Sequence, residues 1–180
     1  MIIKLMQFVA LTAVLGCFLP TMVKAQSLGD WGKVEYCPKG LRTIGFKLKT
    51  ERPQGDGDDT ALNGIALKCP DGSWIYSAQG PWGEWGIEIL CPSGWLTSCR
   101  LRVEPTQGDG DDTAANNLEC KCSNGQVLLG DGEHWGDWNE WSSPCEQGIR
   151  TIQTQVQEPQ GSGDDTALND VRFTCSALGG

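Results

Sequence analysis

The chain has one histidine, His134, in 180 residues. That scarcity limits any Ser-His or Cys-His nucleophilic pair to a single residue, so triad chemistry has little support. No Asn-x-Ser/Thr tripeptide occurs, which removes N-linked glycan from consideration. After the N-terminal stretch, no apolar run approaches the ~20 residues that a membrane-crossing helix needs. Positive charge is also short, with 14 Lys and Arg against 23 Asp and Glu and a net charge of -9. Nucleic acid and anionic membrane surfaces are recognised through basic patches, so this balance argues against both and permits basic proteins as partners. The glycines stand among aspartates, which repel phosphate, so no phosphate-cradling loop is present. Nothing in the sequence calls for a cofactor or a metal, and no stretch shows convincing helical periodicity.

What is present begins with a secretory signature. Lys4 precedes an apolar run from Leu5 to Leu19, and "VKA" ending at Ala25 has the small and branched residues that a signal peptidase reads. A lipoprotein reading of "VLGC" at Val14 to Cys17 competes with it, but the apolar run continues past the cysteine. Residues 1–25 are therefore expected to be cleaved, and residues 26–180 to form one domain in a secreted, extracellular protein. Loss of Lys4 and Lys24 leaves 12 basic against 23 acidic residues, a net charge near -11.

The organising feature is a repeat. "QGDGDDTALNGI" from Gln54 returns as "QGDGDDTAANNL" from Gln107 and "QGSGDDTALNDV" from Gln160, each copy starting 53 residues after the last. A Gly-x-Trp opens each unit at Gly29 to Trp31, Gly83 to Trp85 and Gly136 to Trp138, giving units of about 29–69, 83–122 and 136–175. On both sides of each acidic stretch, apolar residues recur every second position. Phe46 and Leu48 precede the first, Ile65 and Leu67 follow it, and the other units repeat the pattern. Period two with one apolar face marks half-buried antiparallel strands, so the fold class is all-β. "SWIYS" and "QVLLG" in the connections are further strand-like runs. After Cys175 only "SALGG" remains, while "SLGDWG" near the N-terminus has no unit before it. A three-fold ring closed by pairing this N-terminal segment with the third unit accounts for both and removes free sheet edges.

Eight cysteines remain once Cys17 leaves with the signal peptide, an even number that in a secreted chain reads as four disulfides. Pairing within each repeat gives Cys37 with Cys69, Cys91 with Cys122 and Cys145 with Cys175. The leftover Cys99 and Cys120 occupy positions held elsewhere by Phe46 with Leu67 and by Ile152 with Phe173, and are expected to bond to each other.

These residues carry a resemblance. The "QGxGDDTALNxI" repeats, the Gly-x-Trp openings and the "CPxG" after the first cysteine of a unit resemble the vitelline membrane outer layer protein 1 family over essentially the whole mature chain. The resemblance implies a β-prism of three Greek-key sheets around a pseudo-three-fold axis, in a secreted protein of egg coats and other extracellular layers. It also implies a link to binding or processing of N-acetylglucosamine oligosaccharides. Two departures stand out: Cys145 is followed by "EQG", and Ser162 replaces the leading aspartate of the third acidic loop.

Two sets of residues compete for a functional role. The paired Asp58 and Asp59, Asp111 and Asp112, and Asp164 and Asp165 are read as turns, since carboxylates accept backbone N–H groups and glycine supplies positive φ. The competing readings are calcium, although the spacing lacks the downstream glutamate of an EF-hand loop, and catalysis by paired carboxylates. Glu51, Glu104 and Glu158 would be the partners in such pairs. Most tryptophans are read as core. The sharper reading is a sugar platform in "EHWGDWNEW", where Glu133, Trp135, Asp137, Trp138, Glu140 and Trp141 mix indole faces with carboxylates. Two functions follow: a structural or protective component of an extracellular layer, packing against matrix or egg-coat proteins, or a carbohydrate-binding or transglycosylating protein acting on oligosaccharides.

Overall fold

The computed structural model describes residues 29–52, 60–104, 115–158 and 168–176. The signal peptide and all six paired aspartates, Asp58, Asp59, Asp111, Asp112, Asp164 and Asp165, lie outside the described residues. Those that are described form strands, turns and one short 3-10 turn at Pro38–Gly40.

The strands fall into three antiparallel sheets. In the first, β3 (Gly45–Thr50) pairs with β4 (Leu62–Lys68), and β4 with β5 (Trp74–Tyr76); the other edge of β3 takes the short strands β6 (Glu84–Trp85) and β7 (Ile89–Leu90). The second has the order β10 (Val127–Leu129), β9 (Ala115–Cys122), β8 (Leu96–Val103), β11 (Asp137–Trp138). The third joins β13 (Leu168–Thr174) to β12 (Thr151–Val156), whose far edge takes β1 (Asp30–Trp31) and β2 (Glu35–Tyr36). The N-terminal strands thus close the ring on the third sheet.

The sheets are offset from the sequence repeats. Each Gly-x-Trp pairs with the sheet of the preceding unit: Trp85 with Lys49 of the first, Trp138 with Arg102 of the second, and Trp31 with Gln155 of the third. A backbone requirement fixes the glycines. Gly29, Gly83 and Gly136 all have positive φ, and a Cβ on them would lie 2.3 Å from the Val156 carbonyl oxygen, 2.5 Å from the Thr50 carbonyl carbon and 2.1 Å from the Val103 carbonyl oxygen. Each contacted residue closes a register shift, at Gln155/Val156, Lys49/Thr50 and Arg102/Val103. The extra residue of each shift lies on the partner strand, at Asn169, Asn63 and Asn116, and the backbone of the facing residue approaches the glycine too closely for a side chain.

Inward positions fill the prism. Phe46, Leu48, Ile65 and Leu67 from the first sheet meet Leu96, Leu101 and Leu118 from the second and Ile152 and Leu168 from the third. The bonded cysteine pairs are Cys37–Cys69, Cys91–Cys122, Cys145–Cys175 and Cys99–Cys120. Because the sheets are offset, the first three staple neighbouring sheets. Cys37 follows β2 of the third sheet and reaches the end of β4 in the first; the other two repeat this at the remaining seams. Cys99–Cys120 instead bridges directly opposed residues within the second sheet.

The expectation that most tryptophans are core is overturned. None of the eight is fully buried: Trp82 is exposed and the other seven are half-buried. The interior is taken by aliphatic side chains and cystines at alternate strand positions, whereas Trp74, Trp85, Trp138 and Trp31 lie in or beside edge strands in register with outward-facing residues.

Candidate functional site

The same alternation that sends Phe46 and Leu48 inward sends Lys47 and Lys49 outward, and register decides what they meet. On the first sheet the Lys47 ammonium stands among three rings, 4.7 Å from Trp74, 4.9 Å from Trp85 and 5.5 Å from Tyr76. Lys68 lies 4.5 Å from the other part of this cluster at Trp74, and 3.9 Å from the Glu88 carboxylate. Tyr76 meets Trp85 edge to face at 5.3 Å. Small residues at Gly64 and Ala66, opposite Lys49 and Lys47, leave room for these rings to lie over the sheet.

The second sheet repeats the arrangement with arginine. The Arg100 guanidinium lies 4.5 Å from Trp141 and 5.2 Å from Trp138, and forms a 2.6 Å ion pair with Glu119 across the strand pair. Lys121 adds a second cation 4.0 Å from Trp141, and Arg102 one 5.7 Å from Trp138. On the third sheet Arg172 lies 3.8 Å over Trp31. A cation over an indole is worth about 0.5 to 2 kcal/mol depending on exposure, so such contacts stabilise the outer faces, as clusters on the first two sheets and as one pair on the third.

Against this frame the stretch from Glu133 to Trp141 separates into three parts. Glu133 is held before β11: its N–H donates to the Asn116 carbonyl (2.8 Å), and its carboxylate lies 3.9 Å from His134, which stacks on Trp135 at 5.3 Å. Trp138 and Trp141 come together over Arg100, with Asp137 exposed beside them on β11. Glu140 faces a different space, a cleft of about 170 Å³ between Arg100 and Ser142 of the second sheet and Val171 and Phe173 of the third. Cations already lie against the two indoles that do come together.

A larger cleft, about 410 Å³, opens where β3 leaves the first sheet, lined by Thr50, Glu51, Glu84, Trp85, Gly86 and Asp131. Asp131, just after β10 of the second sheet, reaches the first and accepts the Ile87 N–H at 3.0 Å through one carboxylate oxygen. Its other oxygen and the Thr50 hydroxyl are buried without a partner. Glu51 is engaged with Thr60, whose hydroxyl donates to it at 2.5 Å. Sequence reading missed Asp131. The signal for it is a break in the repeat, since Ala78 stands 53 residues earlier at the matching position. The outward cations were legible in the same way, as the polar members of each alternating run. Among the described residues no group of three or more His, Cys, Asp or Glu is placed to hold a metal ion.

Three antiparallel sheets, closed into a ring, stapled at each seam and faced with cation-capped indoles, define a disulfide-bonded β-prism built from three repeats. The family model for vitelline membrane outer layer protein I matches residues 19–178, and the chain belongs to that family. Two curated relatives share it. The mouse vitelline membrane outer layer protein 1 homolog is 46% identical over 157 residues, covering 83% of this chain and 78% of that protein. The human vitelline membrane outer layer protein 1 homolog is 48% identical over 155 residues, covering 82% and 77%.

Proposed function

We propose that this protein is a secreted structural component of an extracellular layer of the egg-coat type, packing against basic matrix proteins. The observation that carries the reading is the placement of the cystines: Cys37–Cys69, Cys91–Cys122 and Cys145–Cys175 tie each sheet to the next, and Cys99–Cys120 ties the middle sheet to itself. Such bonds form in oxidising compartments and persist outside the cell. Loops of 21 to 32 residues each contribute about 3 to 4 kcal/mol by restricting the unfolded chain. That is the chemistry of a body built to last rather than to flex. Family membership supports the same reading through the layer that gives the family its name. The signal sequence supports secretion, and no helix among the described residues is long and apolar enough to cross a membrane.

The test is expression of the full chain in secretory cells. The expected product is released into the medium, starts at Gln26, contains four disulfides and co-sediments with an isolated egg outer layer until salt is raised. Retention in the cell, or release without association, would reject this reading. The same preparation incubated with N-acetylglucosamine oligosaccharides separates the carbohydrate alternative: new chain lengths by mass spectrometry would make glycosyl transfer the function instead.

A further inference from the structure

The three-fold design gives each sheet the same plan, and two of the three sheets show what covers the outer edge of the second long strand. On the first sheet β5 pairs with β4, placing Trp74, Ile75 and Tyr76 opposite Lys68, Leu67 and Ala66. It also packs against β2 of the neighbouring sheet, with the Ser77 hydroxyl donating to the Lys33 carbonyl at 2.9 Å. On the second sheet β10 sits on β9 in the same register, Leu128 opposite Cys120, and packs against β7. On the third sheet, among the described residues, no strand pairs with the corresponding edge of β13.

What occupies the matching place is the cleft of about 170 Å³ lined by Val171 and Phe173 on one side and by Asn139 and Ser142 on the other. Ser142, whose N–H donates to the Cys99 carbonyl, stands where Ile89 of β7 faces Phe46 and Glu35 of β2 faces Ile152 in the other two seams. Burial records the difference. Leu67 and Cys120, the counterparts of Phe173, are 0% exposed, and Ile65 and Leu118, the counterparts of Val171, are equally covered; Val171 and Phe173 are only half-buried.

We propose that the outer edge of β13 is a docking site for an extended peptide segment of a partner protein, which adds to the third sheet as a strand opposite Arg172 to Thr174. The two internal strands specify the occupant. Ile75 and Leu128 point inward at the central position, so the guest carries an aliphatic residue there, seated opposite Phe173. Its next residue lies opposite Arg172 on the outer face, where an acidic or aromatic side chain meets the guanidinium. Backbone hydrogen bonds to the strand edge supply affinity and the single apolar socket supplies selectivity, the mode of recognition by strand addition. A cleft walled on both sides by this chain admits one free strand more readily than the edge of another folded sheet. The site is a property of the fold and goes beyond the structural role proposed above.

The test uses the full oxidised protein and a synthetic peptide with the sequence of residues Asn124 to Gly130, the chain's own guest strand from the second sheet. Binding is followed by fluorescence anisotropy of the labelled peptide and located by hydrogen exchange. The expected result is slowed exchange confined to residues 168–174, with affinity weakened at least about tenfold when the probe carries Leu128→Asp. The probe substitution keeps the test independent of any folding defect in the protein. Absence of binding up to about 1 mM peptide, or protection elsewhere, overturns the proposal. So does full protection of residues 168–174 before peptide is added, which would mean that the chain covers its own edge. Concentration-dependent dimers that protect the same residues would overturn it in favour of a second copy as occupant.

Discussion

Cys99 and Cys120 face each other across β8 and β9 at the register position where Phe46 meets Leu67 in the first sheet and Ile152 meets Phe173 in the third. A cystine has therefore taken the place of an apolar cross-strand pair in the core, and both members are buried. The double variant Cys99→Val with Cys120→Leu is expected to fold, because the site already accepts aliphatic packing elsewhere in the ring. It should lose up to about 3 kcal/mol from the opened 21-residue loop, partly offset by apolar contact. Urea unfolding measures this. A variant that cannot fold at all would mean that the bond, rather than the packing, holds the second sheet.

Much of this architecture was legible because it is written three times. The strands around each acidic stretch, the cysteine partners and the ring closure follow from a 53-residue period and from alternation within it. The tryptophans were misplaced for a physical reason: a large aromatic is a core residue by composition, and only register shows Trp85 beside Lys49 and Trp138 beside Arg102 on outward positions. The offset of the sheets was hidden because a repeat in sequence carries no mark of which sheet its first strand joins. Asp131 was hidden because the matching position of the first repeat is Ala78 and because the Ile87 N–H it accepts belongs to a different sheet.

Gly136 and Gly125 separate two reasons for needing glycine. Both have positive φ, but a Cβ on Gly136 would meet the Val103 carbonyl oxygen at 2.1 Å, whereas one on Gly125 would meet nothing within 4 Å. Gly125→Ala is expected to cost about 1 kcal/mol from backbone strain. Gly136→Ala should cost about 3 kcal/mol or more, because β11 must move away from β8 as well. Denaturation midpoints of the two variants decide the matter; equal losses would show that the close backbone approach is not what selects the glycine.

Arg100 is the joint of the second sheet's outer face, since it serves Trp138, Trp141 and Glu119 at once. Its side chain is 26% exposed and that of Glu119 17%, so the pair is shielded enough to matter without being a core ion pair. Arg100→Met is expected to cost about 1 to 2 kcal/mol and to change tryptophan fluorescence, with Glu119 left unpaired. A double-mutant cycle with Trp141→Leu should give a coupling of about 0.5 to 1 kcal/mol. Strict additivity would mean that the ring and the cation are neighbours without mutual stabilisation.

Acidification should expose the tight turn that follows Cys69. The Asp71 carboxylate accepts the Ser73 hydroxyl at 2.6 Å and the Ser73 N–H at 3.0 Å. These bonds, the hydroxyl's first, hold its pKa below the ordinary 3.8. A carboxyl with a depressed folded pKa contributes stability above its unfolded value and loses it as pH falls through the folded one. The second repeat has Asn124 at the same position, whose amide oxygen accepts the Gln126 N–H at 3.0 Å without any charge to titrate. Asp71→Asn should therefore keep the turn and remove its pH dependence. Wild type should gain stability relative to Asp71→Asn between strongly acidic pH and neutrality, with the gain completed just above pH 3.8. Thermal unfolding of both proteins across that range tests the sign, and a difference that stays flat, or shrinks as pH rises, would sink it.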